Sequence, residues 1–332
     1  MEFEELYEKL LDEHGEAIAI KQNKFKLQRI FIIGLFAVGF LAMIFMYFWI
    51  AEEVLDIPEN FMIEVAVFSV LAIILISILG KCLGRISKSL NLYYKENVVS
   101  HFVSMVDSNF NYSAKSDSSQ KEIAESQYNS EFSDSEALQA GTKFERMTDN
   151  IVGTVKSYPI SICNILAKNK LFYFEGLFVH IKTDKDMPGY TQVASSLRNY
   201  MFKKRAFSNL NIGNMHRAES PLVIEPSDRR RMDHSEFEKY FEVGSNDQIV
   251  AMQYLTTDIM EHMVEFRKTY DIVFDFVWRG KDVFIRFNLA QMFKPTMSDP
   301  ICRESLEKCM AILTFVLTFN ELVARTIEET AI

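Results

Sequence analysis

Asp258, Glu261, His262 and Glu265 fall within one run of eight residues, "DIMEHMVE". A spacing of four puts Asp258 with His262, and Glu261 with Glu265, on common faces of a helix. Carboxylates around an imidazole are the donor set of divalent-metal sites and of general acid–base catalysis. Metal-binding bundles place Glu-x-x-His on facing helices. Here the order is His-x-x-Glu, and Glu-x-x-His occurs nowhere in the chain. The expectation is therefore a solvated acidic face. A second run, "MDHSEFE", holds Asp233, His234, Glu236 and Glu238. A strand would present 234, 236 and 238 together, yet such a run more often forms a turn leading into a strand. The metal alternative rests on His234, His262, Asp258 and Glu265.

Phosphate-binding, dinucleotide-binding, nucleophile-elbow and zincin motifs are all missing from the sequence. No residue therefore receives a catalytic role, and no cofactor is expected. An enzyme of unknown class, metal-dependent and using acids and His in 233–265, is kept as the alternative to a non-enzyme.

A third constellation is electrostatic. Lys203, Lys204, Arg205, Arg217, Arg229, Arg230 and Arg231 are opposed only by Glu219, Glu225 and Asp228. This segment is basic in a chain whose 36 Lys+Arg and 45 Asp+Glu give a net charge of -9. It suits contact with anionic lipid headgroups or with an acidic protein partner. The acidic total argues against DNA, which requires a basic face. Cys82, Cys163, Cys302 and Cys309 include no C-x-x-C pair. Cys302 and Cys309 are read as small buried residues sharing one helix face.

The elements that would position these groups begin with two uncharged or nearly uncharged runs. Ile30–Ile50 is 21 residues without a charge, and Phe61–Leu79 carries only Glu64, near its start. About 20 apolar residues cross a bilayer core, so both are expected to be transmembrane helices, joined by a short external loop, 51–60. Basic residues flank the pair on the outside (Lys21, Lys24, Lys26 and Arg29 before, Lys81, Arg85, Lys88 and Lys95 after), while the loop between has acids and no base. The positive-inside rule then puts both termini in the cytoplasm. An amphipathic helix in 1–29 and a stalk helix in 80–106 are expected to pack side by side. "CMAILTFVLTF", Cys309 to Phe319, is too short to span and is read as the buried face of a soluble helix.

Residues 107–140 are polar and Ser-rich and are read as a linker. Residues 141–332 are expected to form a cytoplasmic domain. Its strands are "IVGTVKSYPISICNIL", "KLFYFEGLFVHIK", a further strand from "MPGYTQVA", an edge strand at "PLVIEP", and "KYFEVG". "DIVFDFVW" and "DVFIRFN" flank "RGK" as a hairpin. Asp247 precedes a helix starting near Gln248, Thr257 is a candidate cap for the next, and a last helix runs from about Asp299 to Glu329. The fold class is α+β, a mainly antiparallel sheet with packed helices and a C-terminal helix behind a transmembrane hairpin.

"FEKYFEVGSNDQIVAMQYLT" resembles a bacterial family of uncharacterised membrane-anchored proteins, a domain of unknown function (number thirty-one thirty-seven). The matching positions are Phe237, Glu238, Lys239, Phe241, Glu242 and Val243, then Asp247, Gln248, Ala251, Leu255 and Thr256. "FEGLF" upstream is similar to the family's F-x-G-L-F. The resemblance implies a bacterial inner-membrane location and no catalytic residue. Phe237, Phe241, Val243, Asp247, Gln248, Ala251 and Leu255 also have a structural reading: strand faces, a cap, and a helix lying close to the sheet. The expected function is a membrane-anchored binding or scaffold module with an unknown protein partner; homo-oligomerisation is left open.

Overall fold

The computed structural model of the chain describes residues 3–54, 61–116, 118–132, 143–156, 158–168, 173–196, 224–289, 292–293 and 301–329. Two compact units emerge: one of residues 7–98 and 295–302, the other of residues 1–6, 99–294 and 303–332.

The first unit is helical. α1, Phe3–Val54, is one unbroken helix, so the expected amphipathic helix and first span are continuous. α2 runs Phe61–Tyr94. Leu27, Ile30, Phe31, Leu35, Val38 and Leu41 on α1 are exposed, as are Val70, Ile73 and Ile76 on α2. Nearer the helix ends the pattern changes. Leu10 and Ile18 on α1 and Leu90 and Tyr94 on α2 are buried, and the Lys21 ammonium lies 5.1 Å from the Tyr93 ring centroid. The early part of α1 thus runs beside the late part of α2. Tyr94 Oη donates to the Ile301 carbonyl at 2.6 Å. A π-turn, Lys95–Val99, continues α2 into α3, Ser100–Val106.

The second unit is an antiparallel sheet with helices on both faces. Its strands are β1 (Asn111–Lys115), β2 (Lys143–Val155), β3 (Tyr158–Lys168), β4 (Tyr173–Ser195), β5 (Arg229–Arg230), β6 (Phe241–Ser245) and β7 (Phe274–Phe287). Pairing runs β1-β2-β3-β4-β6-β5, with β7 also on β4. The helices are α4 (Ser118–Phe132), α5 (Phe237–Tyr240), α6 (Gln248–Tyr254), α7 (Thr257–Tyr270) and α8 (Arg303–Glu329).

β7 doubles back. An extended strand would hold residues eleven apart about 36 Å from each other, yet Arg286 Nη2 lies 2.6 Å from Asp275 Oδ2. Asn288 N likewise donates to Val273 O at 2.8 Å. The fold-back occurs at Gly280, whose φ of 58° is left-handed and costs a residue without Cβ little. This is the expected "RGK" hairpin, and both its arms pair with β4. β4 wraps around it: Leu177 to Lys182 pair with Phe287 to Asp282, and Thr191 to Val193 pair with Trp278 to Phe276. "MPGYTQVA" is therefore the second arm of β4 rather than a separate strand.

Side chains alternate across the sheet. Phe178, Val277 and Phe284 join Tyr128 and Phe132 of α4 in one core. Phe274, Phe276 and Phe287 point to the other face, where Phe315 and Phe319 of α8 meet them at centroid distances of 5.2–5.7 Å. Each such ring contributes about 1.5–3 kcal/mol by leaving water.

Several sequence expectations are corrected. The polar stretch 107–140 is not a linker throughout: it holds β1 and α4, and α4 buries Ala124, Tyr128, Glu131 and Phe132 at helical spacing. Phe237 sits in the α5 turn, not on a strand face; its ring stacks on Phe241 at 5.0 Å. Thr256, not Thr257, holds the N-cap position of α7. Cys302 precedes α8 with φ 50°, so it does not share a helix face with Cys309. At "PLVIEP" the described residues Ile224 and Glu225 are not strand; the edge is β5.

Candidate functional site

α7 separates two clefts. Its apolar positions Ile259, Met260, Met263, Val264 and Phe266 recur at helical spacing and are buried. The remaining face carries Asp258, Glu261, Glu265, Lys268 and Thr269, all exposed. The helix stops at Asp271, left-handed at φ 50°, whose carboxylate receives Arg267 Nη1 at 2.6 Å. α8 is amphipathic in the same way, burying Leu306, Cys309, Leu313, Val316, Phe319 and Val323.

The larger cleft, about 410 Å³, lies between α7 and α8. Phe266 and Phe315 form its floor, Phe3 and Tyr270 line its sides, and Glu265, Glu307 and Thr314 stand at it. His262 also faces it. The imidazole stacks on Phe315 (centroids 4.7 Å apart, planes 8° apart), and its Nε2 lies 3.2 Å from the Phe315 carbonyl. A carbonyl only accepts, so Nε2 carries the proton and Nδ1 is left as an acceptor. Burial lowers the pKa below 6.5, against the opposing pull of the Phe315 carbonyl and Glu265. His262 is therefore neutral at neutral pH.

The smaller cleft, about 310 Å³, is on the other side of α7 and is lined by His234, Glu236, Glu261, Glu265 and Lys268. Lys268 pairs with Glu236, which lowers the Glu236 pKa and raises that of Lys268 through the hydrogen bond between them. His234 Nδ1 accepts from Phe237 N at 3.0 Å, so it helps form the α5 turn. In the neutral ring the proton is then on Nε2, leaving no lone pair free for a metal.

The four candidate ligands are thus spread out. His262 opens into one cleft and His234 into the other, with Glu265 shared. Asp258 lines neither and pairs with Arg325 at 3.4 Å. The geometry brings no triad of them together.

The basic segment is described only at its end; Lys203, Lys204, Arg205 and Arg217 lie outside the described residues. Arg229 is 3.4 Å from Glu242. Arg230 Nη1 donates to the carbonyls of Ser227 and Arg229 at 2.9 and 3.1 Å. The Arg231 carbonyl accepts from Gln248 Nε2 at 2.7 Å. Among the motif positions, Phe237, Phe241, Val243, Ala251 and Leu255 are buried. Asp247 caps α6 by accepting from Ile249 N at 2.8 Å and Val250 N at 3.4 Å.

A buried polar network was not foreseen from sequence. Arg286 donates to Asp275 through Nε (3.0 Å) and Nη2 (2.6 Å), and through Nη1 to Tyr128 Oη (3.2 Å). The guanidinium lies over Phe132 and Phe174 at 4.9 and 5.2 Å. Asp275 also accepts from Ser195 N at 3.0 Å. Burial opposes the charge on Arg286, but Tyr128 and Asp275 outweigh it and hold the pKa above the ordinary arginine value. The network fastens α4 to the sheet.

Residues 173–324, from β4 through most of α8, match the family model described as "Protein of unknown function (DUF3137)". This stretch is similar to the DUF3137 domain. Both walls of the larger cleft, α7 and α8, fall within it except for the last residues of α8; Phe3 and α4 are supplied from outside the DUF3137 region. No curated protein matches the chain. Among solved structures, the mycobacterial trehalose monomycolate transport factor A, TtfA, aligns with 69% of this chain and 93% of its own. The two are 9% identical, with a TM-score of 0.33, a likeness too low to carry fold or role across.

Proposed function

We propose that the chain is a membrane-anchored binding or scaffold module. Its two apolar helices hold the α+β domain against the cytoplasmic face of a bacterial inner membrane, with both termini on that side. The carrying observation is the surface of α1 and α2. Windows within Phe3–Phe45 and Ser69–Val106 have mean hydropathies of 2.1 and 2.0, and none of either window is buried. Apolar area of that extent is unfavourable in water by roughly 25 cal/mol per Å² and needs a lipid cover. α8 also reaches the length and hydropathy of a span, but 61% of its window is buried inside the domain, where it forms the core.

Basic residues supply the orientation and a second contact. Lys21, Lys24, Lys26 and Arg29 precede the first span, and Lys81, Arg85 and Lys88 follow the second. Lys203, Lys204, Arg205 and Arg217 are the bases proposed to touch anionic headgroups or a protein partner. Arg229 and Arg230 add less, being engaged by Glu242 and by backbone carbonyls.

Alkaline extraction of cell membranes and protease protection of inverted vesicles test the reading together. The chain should stay in the pellet, and its domain should be digested in inside-out vesicles. Release into the supernatant, or protection of the domain, would overturn it.

A further inference from the structure

We propose that the cleft between α7 and α8 is a docking site for a basic, apolar-flanked peptide segment of a partner protein. This rests on reading the chain as a binding module and specifies what it binds.

The cleft offers two kinds of surface. Its floor is aromatic, with Phe266 and Phe315 centroids 4.5 Å apart, and Tyr270 stands at the mouth 42% exposed, 5.2 Å from Phe266. An apolar side chain is sheltered there, and a ring face at the mouth attracts a cation. Its charged lining is anionic only: Glu265 and Glu307, with no lysine or arginine among the lining residues. His262 adds a lone pair at Nδ1 rather than a charge.

Three neighbouring acids are already paired. Glu4 pairs with Arg303, Glu304 with Lys308, and Asp258 with Arg325. Among the described residues, Glu265 and Glu307 have no ion-pair partner, although both stand beside the same helices. A ligand supplying guanidinium or ammonium groups next to a bulky apolar residue completes the pattern. An anionic headgroup or a nucleic acid meets repulsion at both carboxylates.

Phe3 makes the site more than a surface groove. It belongs to the first turn of α1 and contacts Phe102 at 6.3 Å and the Arg303 guanidinium at 5.8 Å. A peptide in the cleft therefore touches the helix that goes on to form the first apolar run.

The test uses the full chain in nanodiscs of phosphatidylcholine alone, so that the lipid does not attract the probe. The probe is a dye-labelled peptide carrying two arginines flanked by leucine and phenylalanine. A matched peptide with glutamates in place of the arginines is the comparison. The basic peptide should bind and the acidic one should not. Glu265→Gln with Glu307→Gln should weaken binding about tenfold, Thr314→Trp should block it by filling the mouth, and Glu321→Gln, an exposed acid of α8 outside the cleft, should leave it unchanged. No binding of the basic peptide, equal binding of the two peptides, or binding indifferent to the cleft variants would overturn the proposal. Membrane extraction is read separately, so loss of the cleft would leave the anchor reading standing.

Discussion

Arg286 and Asp275 lie eleven residues apart on one strand and are joined by an ion pair in the core, two guanidinium nitrogens sharing one carboxylate oxygen, with both side chains less than a tenth exposed. Only the fold-back at Gly280 allows them to meet. Breaking such a pair leaves a buried charge without a partner, which costs roughly 3–5 kcal/mol. Arg286→Met should accordingly lower the melting temperature of the detergent-solubilised chain by roughly 6–20 °C. Asp275→Leu combined with Arg286→Met should recover part of that loss, because no lone charge remains. A melting curve for Arg286→Met that overlays the wild type would contradict the network.

The helix in the supposed linker gives a sharper contrast. Tyr128 is fully buried against Phe144, Phe174 and Phe178 at centroid distances of 5.5–5.9 Å, whereas Ile123 on the same helix is 59% exposed. Tyr128→Ala should destabilise by about 3–5 kcal/mol, as for other large buried aromatics. Ile123→Ala should change stability by less than about 0.5 kcal/mol. A true linker would tolerate both substitutions, so equal melting of the two variants is the disqualifying result.

His262 makes a pH signature. Burial disfavours its imidazolium, so its folded pKa is below the ordinary 6.5 and the unfolded chain takes the proton first. The stability tied to the neutral ring is complete above about pH 7 and declines as the pH falls from 6.5 through the folded value. Glu265 faces the ring and softens the effect. The melting temperature should fall less between pH 7 and pH 5 in His262→Phe than in the wild type. Parallel pH profiles would show that the histidine is not the cause.

Asp247 caps α6 with one carboxylate oxygen shared by two backbone donors. Asp247→Ala should cost about 1 kcal/mol, and Asp247→Asn or Asp247→Ser should restore most of it. The decisive measurement is the order of melting temperatures, with alanine lowest.

Which parts of this were legible follows from where the signal is stored. The two apolar helices, the buried stripe of α8 and the Asp247 cap are local: an uncharged run, a 3.6-residue period, an Asn-Asp step before an apolar segment. α4 was not legible because it uses only Ala124, Tyr128 and Phe132 as anchors among serines and acids, so composition pointed to a solvated chain. Its burial depends on β2, β3 and β4, which come later in sequence. Asp275 and Arg286 lie on the two arms of the expected hairpin; nothing near them announces that α4 covers that face. The acids and histidines of 233–265 were found from sequence, but the side of α7 on which each opens is set by α8 and by the α5 turn. Glu307 and Thr314 gave no signal at all, because a cleft between elements is written in neither.

The placement of β4 has a consequence for synthesis. Its first arm pairs with β3, which the ribosome has already delivered, and with the second arm of β7, where Leu177 meets Phe287. Roughly a hundred residues separate those two positions, about 5–20 s at ordinary elongation rates. Through that interval an edge carrying Leu177, Val179 and Ile181 waits with its amides and carbonyls unpaired. An open edge of this kind recruits any passing strand. Chaperone dependence, or aggregation when translation is slowed between β4 and β7, is thus built into the order in which the strands are made.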